Sequence, residues 1–137
     1  MTPEKLADIL CDALKSRKAF DIVKINVQEK TTVADYFVVA SARSSTQVKS
    51  LTEFCEEKAE KEGAIIKRKE GISDGRWAIV DFGDVILHIF NDETRLFYHL
   101  ERLWGDESTI ERIEVKDAYL SIKTAVFGGI VASNITT

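Results

Sequence analysis

The order of elements predicts a mixed α/β sandwich, one five-stranded sheet flanked by helices. Three observations carry that reading. Residues Arg76 to Phe90 read as two strands joined at Gly83-Asp84, where glycine supplies the positive φ of a two-residue hairpin. Tyr36-Phe37-Val38-Val39-Ala40 is an unbroken apolar run, which reads as a strand buried on both faces. Stretches with helical spacing precede, separate and follow the strands.

Taken in order, Thr2-Pro3-Glu4 opens a helix with a cap, a proline at the first position and an acid in the first turn. Leu6, Ile9, Leu10, Ala13 and Leu14 mark its buried face, and Lys15, Arg17 and Lys18 suit its C-terminal end. Ile22 to Gln28 alternates apolar and polar side chains, the pattern of a half-buried strand, and Glu29-Lys30-Thr31-Thr32 turns the chain. The strand Asp35 to Ser41 follows. Ser44 and Gln47 form a capping box for the next helix, whose inner face is Val48, Leu51, Phe54, Cys55 and Ala59 and whose end is Gly63. Ala64 to Glu70 reads as another strand and residues 71–75 as a loop.

In the hairpin, Phe82 should face Val85, Val80 should face Leu87 and Ala78 should face Ile89, an all-apolar face. The opposite face pairs Trp77 with Phe90, Ile79 with His88 and Asp81 with Ile86, and it too needs cover. Asn91 or Asp92 caps a last helix with the stripe Leu96, Phe97, Leu100, Leu103 and Trp104, ended by Gly105. Tyr98, Glu101 and Arg102 stay off that stripe. Residues 107–116 are polar and β-like, and residues 118–135 hold apolar side chains interrupted by Gly128-Gly129. The division expected is 1–106 as one domain and 107–137 as a C-terminal extension.

The chain has 137 residues with 45% hydrophobic and 31% charged, the balance of a globular domain. No run is long and apolar enough to span a bilayer, and the N-terminus has no signal-peptide core, so a cytoplasmic protein without a membrane partner is expected. A formal charge of −4 argues against binding nucleic acid by massed phosphate neutralisation, and no sequence-specific nucleic-acid contact is expected. Cys11 and Cys55 fall on helix faces and read as small buried hydrophobes.

Catalytic patterns are poor. Asp81-Phe82-Gly83 copies a kinase triplet, but the rest of that signature is missing and a hairpin turn accounts for it. Asp81, Asp84, Asp92 and His88 are candidate metal ligands that strand geometry should hold apart. Ser41, Ser44 and Ser45 have no nearby base. Trp77 and Tyr98, beside Arg76 and Arg102, are the residue types that dominate protein–protein contacts.

Several blocks carry a resemblance: Asp35-Tyr36-Phe37-Val38-Val39-Ala40-Ser41, Gln47-Val48, Gly75-Arg76-Trp77, Asp81-Phe82-Gly83-Asp84-Val85, His88-Ile89-Phe90, and Phe97 through Asp106. Together they closely resemble the ribosomal silencing factor, or Iojap-related, family over residues 3–106. Phe82 and His99 depart from its usual Tyr and Asn. The resemblance implies a nucleotidyltransferase-like fold without catalytic residues, no enzyme activity and no cofactor. It also implies binding to the large ribosomal subunit through ribosomal protein uL14, which blocks joining of the small subunit and represses translation under starvation. Trp77, Asp81, His88, Tyr98, Glu101 and Asp106 are then the expected partner contacts, acids facing basic groups.

Two rivals are an active nucleotidyltransferase-like enzyme and a self-associating module that is a homodimer when free. In such enzymes a Gly-Ser opens the helix after an early strand and paired acids hold metal. Here Ser41-Ala42-Arg43-Ser44 stands in that place, with no acid pair before the hairpin.

Overall fold

A computed structural model describes residues 1–92 and 110–112. Helix α1 spans Pro3–Ser16, β1 Phe20–Asn26, β2 Tyr36–Ala42, α2 Ser45–Lys61, β3 Arg68–Glu70, β4 Trp77–Asp81, β5 Val85–Asn91 and β6 Ile110–Arg112. The strands form one sheet in the order β3-β4-β5-β2-β1-β6. All neighbours are antiparallel except the central pair β2 and β5. The five expected strands are present, and β6 extends the sheet with residues lying beyond 106 in the sequence.

The hairpin has the expected register: Trp77 opposite Phe90, Ile79 opposite His88, Val80 opposite Leu87 and Asp81 opposite Ile86. Gly83 takes φ 97 at the turn, and the Phe82 N–H donates to the Val85 carbonyl at 2.9 Å. The two faces of the sheet make two cores. Helices α1 and α2 pack on one of them, where Leu10, Leu14, Val48 and Leu51 meet Val38, Ala40, Leu87 and Ile89. The other face gathers Val23, Ile25, Phe37, Val39, Ile86 and Phe90, with Trp77 and Ile79 at its margin. Cys11 and Cys55 are both buried, as their places on the helix faces predict.

The caps follow the sequence with one shift. The Thr2 hydroxyl accepts from the Lys5 amide at 3.1 Å, and the Ser44 hydroxyl accepts from the Gln47 amide at 3.1 Å. Gln47 reaches back one residue further than the usual box, its side-chain oxygen accepting from the Arg43 amide at 2.7 Å. Helix α2 ends as expected at Gly63, φ 95, with the Ala64 N–H donating to the Ala59 carbonyl.

Two expectations need correction. Strand β1 is buried on both faces, not half-buried: Asp21 and Lys24 are both inside. The Lys24 ammonium donates to Asp8 at 2.9 Å and lies 3.5 Å from Glu4, so α1 supplies the carboxylates that let a lysine go inside. Strand β3 covers only Arg68–Glu70 and is exposed throughout, because the sheet edge offers it one neighbour and no core. Asn91, one of two residues expected to cap a helix, ends β5, its N–H donating to the Arg76 carbonyl at 2.9 Å, and stands directly before Asp92, which is helical. The helix expected over 93–104, with Gly105, and most of 107–137 lie outside the described residues.

Helix α1 ends with the same hydrogen-bond pattern as α2 but without a glycine. Lys18 takes φ 64, while the Ala19 N–H donates to the Leu14 carbonyl at 3.1 Å. A left-handed conformation costs a residue with a Cβ about 1–2 kcal/mol. Replacing Lys18 by Gly should therefore raise the stability of the full chain by about 0.5–1 kcal/mol, read from urea denaturation midpoints at unchanged m-value. No change, or a loss, would show that the turn is unstrained.

Candidate partner-binding face

Strand β4 alternates sharply. Ala78 and Val80 are buried toward the helices, while Trp77, Ile79 and Asp81 on the other side are only half-buried. Beside them on β5 the side chains of Ile86, His88 and Phe90 are buried. Period-2 geometry alone puts these six residues on one face, and the register makes them neighbours.

Trp77 is held there by three contacts. Its indole N–H donates to His88 Nδ1 at 3.1 Å, its ring stacks on Phe90 with centroids 4.8 Å apart at 25°, and it lies 5.9 Å from the His88 ring. Phe37 on β2 meets His88 edge-on at 4.9 Å, bracing the imidazole from behind. Because Nδ1 accepts, the proton of the neutral ring sits on Nε2, which is buried and makes no hydrogen bond among the described residues. Burial disfavours the imidazolium and pushes the pKa down to about 3. The ring is thus neutral across the physiological range, and protonating it would set a second donor against the indole N–H.

Asp81 has a different task. Its carboxylate accepts from the Gly83 amide at 2.7 Å, closing the hairpin turn, while one side of the residue stays open to solvent. The sequence groups Trp77, Asp81 and His88 as partner contacts, and the fold does bring them to one face. Of these three, Trp77 and Asp81 reach the surface, while His88 is 5% exposed and accepts from the Trp77 indole. Phe37 and Phe90 complete the cluster, and only the strand pairing reveals Phe37. Tyr98, Glu101 and Asp106 lie outside the described residues.

Among the described residues no three His, Cys, Asp or Glu side chains converge as a metal site. Asp81 and His88 stand opposite different residues of the hairpin, as strand geometry requires. The N-terminus of α2 is filled by the chain itself. A Cβ on Gly75 would come within 2.7 Å of Ser45 Cβ, so the 71–75 loop sits directly on the first turn. A pocket of about 180 Å³ at the start of α1, between Leu6, Ile65 and Phe82, is smaller than the usual cofactor site. No helix among the described residues is long and apolar enough to cross a membrane.

The family model described as ribosomal silencing factor during starvation matches residues 1–126. The chain belongs to the ribosomal silencing factor family. It is 34% identical over 111 residues to the ribosomal silencing factor RsfS of Halalkalibacterium halodurans, covering 81% of this chain and 95% of that protein. With RsfS of Bacillus subtilis it shares 36% identity over 102 residues, 74% of this chain and 84% of the other. A crystal structure of a Chromobacterium violaceum protein superposes with a TM-score of 0.74 at 27% identity, covering 88% of this chain and 99% of that one. The silencing-factor match runs past residue 106, as the sheet does through β6.

The buried imidazole makes a pH prediction with a definite sign. Its folded pKa, about 3, lies below the ordinary value of 6.5, so below pH 6.5 the unfolded chain binds the extra proton. Stability should be full above pH 6.5 and fall toward pH 3, with a contribution from this group of up to about 1.4 kcal/mol per pH unit. His88→Phe should flatten that part of the profile in denaturation at several pH values. An unchanged slope would mean the ring is not held neutral.

Proposed function

We propose that this protein is a ribosomal silencing factor that binds the large ribosomal subunit through ribosomal protein uL14. Seated there, its bulk occupies space the small subunit needs, so the subunits do not join and translation is repressed. An interface of ordinary size on one ribosomal protein suffices, because the block is steric. The protein acts in the cytoplasm, makes no covalent bond and needs no cofactor.

The observation that carries this reading is the Trp77 cluster. A half-exposed tryptophan, locked by His88 and Phe90, is a rigid aromatic anchor that loses little side-chain entropy on binding. Asp81 beside it supplies a carboxylate for a basic partner. Tyr98, Glu101 and Asp106 complete the contact set on the adjoining segment. Against an enzyme stand the filled N-terminus of α2 and the lack of converging acids among the described residues. The half-exposed Trp77 and Ile79 also suit a homodimer of the free protein, formed by the same surface and given up on the ribosome.

Co-sedimentation with isolated large and small subunits tests the proposal directly. Enrichment on the large subunit, with fewer joined ribosomes, is the expected result; equal recovery on both particles would overturn it. Trp77→Ala should weaken large-subunit binding by about 2 kcal/mol, roughly thirtyfold, with circular dichroism unchanged. Tyr98→Ala should act in the same direction. Retention of full affinity by both variants would remove this face from the interface.

A further inference from the structure

The net charge of −4 hides a local excess of the opposite sign. At the C-terminal end of α1 the chain carries Lys15, Arg17 and Lys18, all exposed. The Arg17 guanidinium lies over the Phe54 ring of α2, 4.0 Å from its centroid, and the Lys58 ammonium lies 5.3 Å from that centroid. Three residues beyond Arg17, Phe20 begins β1 and carries the Arg43 guanidinium 4.5 Å from its own centroid. Two phenyl rings thus hold three cations, Arg17 and Lys58 on Phe54 and Arg43 on Phe20, with Lys15 and Lys18 beside Arg17 in the chain. Glu53 and Glu57 stand next to Phe54 and Lys58 in the α2 sequence.

Four other basic side chains are held by carboxylates. Lys69 pairs with Glu56 at 2.8 Å, Arg68 with Glu70 at 3.6 Å, Arg76 with Asp74 at 3.6 Å, and Lys24 with Asp8 at 2.9 Å. Arg17, Arg43 and Lys58 make none of these pairings; their contacts are with rings. A guanidinium over the face of a phenyl ring is attracted to it without using its N–H edges on a carboxylate. Those edges match phosphate oxygens, and the outer plane is a stacking surface for an unpaired base.

We propose that Lys15, Arg17, Lys18, Arg43 and Lys58 form a contact surface for RNA, reading its backbone and shape without sequence preference. RNA is favoured over an acidic protein surface because an exposed guanidinium can pair with phosphate through its N–H edges and stack on a base, and both arginines are exposed. The choice also rests in part on the ribosome reading above, since that particle is built of RNA and protein. This surface lies beyond α1 and α2, whereas Trp77 lies on the opposite face of the sheet, so the two make separate contacts.

The test uses the full chain and a fluorescein-labelled RNA hairpin, with binding followed by anisotropy at several salt concentrations. Binding should weaken as salt rises. Arg17→Gln with Arg43→Gln should cost about tenfold in affinity and reduce the salt slope by about 1–2. The charge-matched pair Arg68→Gln with Lys69→Gln should change little. Should the arginine variant fail to fold, Lys15→Gln with Lys18→Gln touches no ring and should still lower the slope. Three results would overturn the proposal: no salt-dependent binding, equal losses in both charge-matched pairs, or stronger binding to polyglutamate than to RNA. Sedimentation with large subunits separates this idea from the functional reading. An Arg17/Arg43 variant that binds large subunits with wild-type affinity and salt dependence sinks the RNA surface alone. Hairpin binding that survives in a protein showing no large-subunit enrichment upholds the RNA surface and sinks the uL14 reading.

Discussion

The parallel pairing of β2 with β5 is the constraint on which the rest depends. Both strands are buried on both sides, so each face of the sheet must be shielded from water. Helices α1 and α2 shield one face. They can do so because their stripes are set by local sequence and their ends are stopped by two turns of the same geometry. A parallel pair also demands a long crossover. Helix α2, the 71–75 loop and strands β3 and β4 provide it, which is why Gly75 is driven against the first turn of α2.

The opposite face cannot be a copy of the first. It carries a tryptophan, an imidazole and a carboxylate among its apolar side chains, and each polar group is settled in a different way. The indole donates to the imidazole, the imidazole gives up its charge, and the carboxylate closes the turn. What remains at the surface is a stiff aromatic edge beside an acid. That surface is suited to recognition because its polar atoms are already arranged before a partner arrives.

Charge is distributed with comparable economy. Lys24 is buried because α1 brings Asp8 and Glu4 to it, and the cations of β3 and the following loop have nearby acids. Arg17 at the end of α1 and Arg43 after β2 are instead held on the rings of Phe54 and Phe20. A whole-chain charge averages these regions and conceals the difference between them.

How much of this was legible depended on distance along the chain. The hairpin register, both helix starts, the stop at Gly63 and the doubly buried β2 follow from neighbours a few residues apart, where turn chemistry and periodicity decide. The grouping of Trp77, Asp81 and His88 on one face was also open to reading, since alternation and a two-residue turn dictate it. Strand β1 was misread because Lys24 looks solvent-facing until a carboxylate sixteen residues earlier is placed against it. That β6 would pair with β1, that His88 would be buried beneath Trp77, and that Phe20 and Phe54 would carry arginines were settled only by tertiary structure. Those outcomes depend on contacts between segments far apart in the chain, and one-dimensional pattern holds no measure of which distant side chain will arrive to share a buried site.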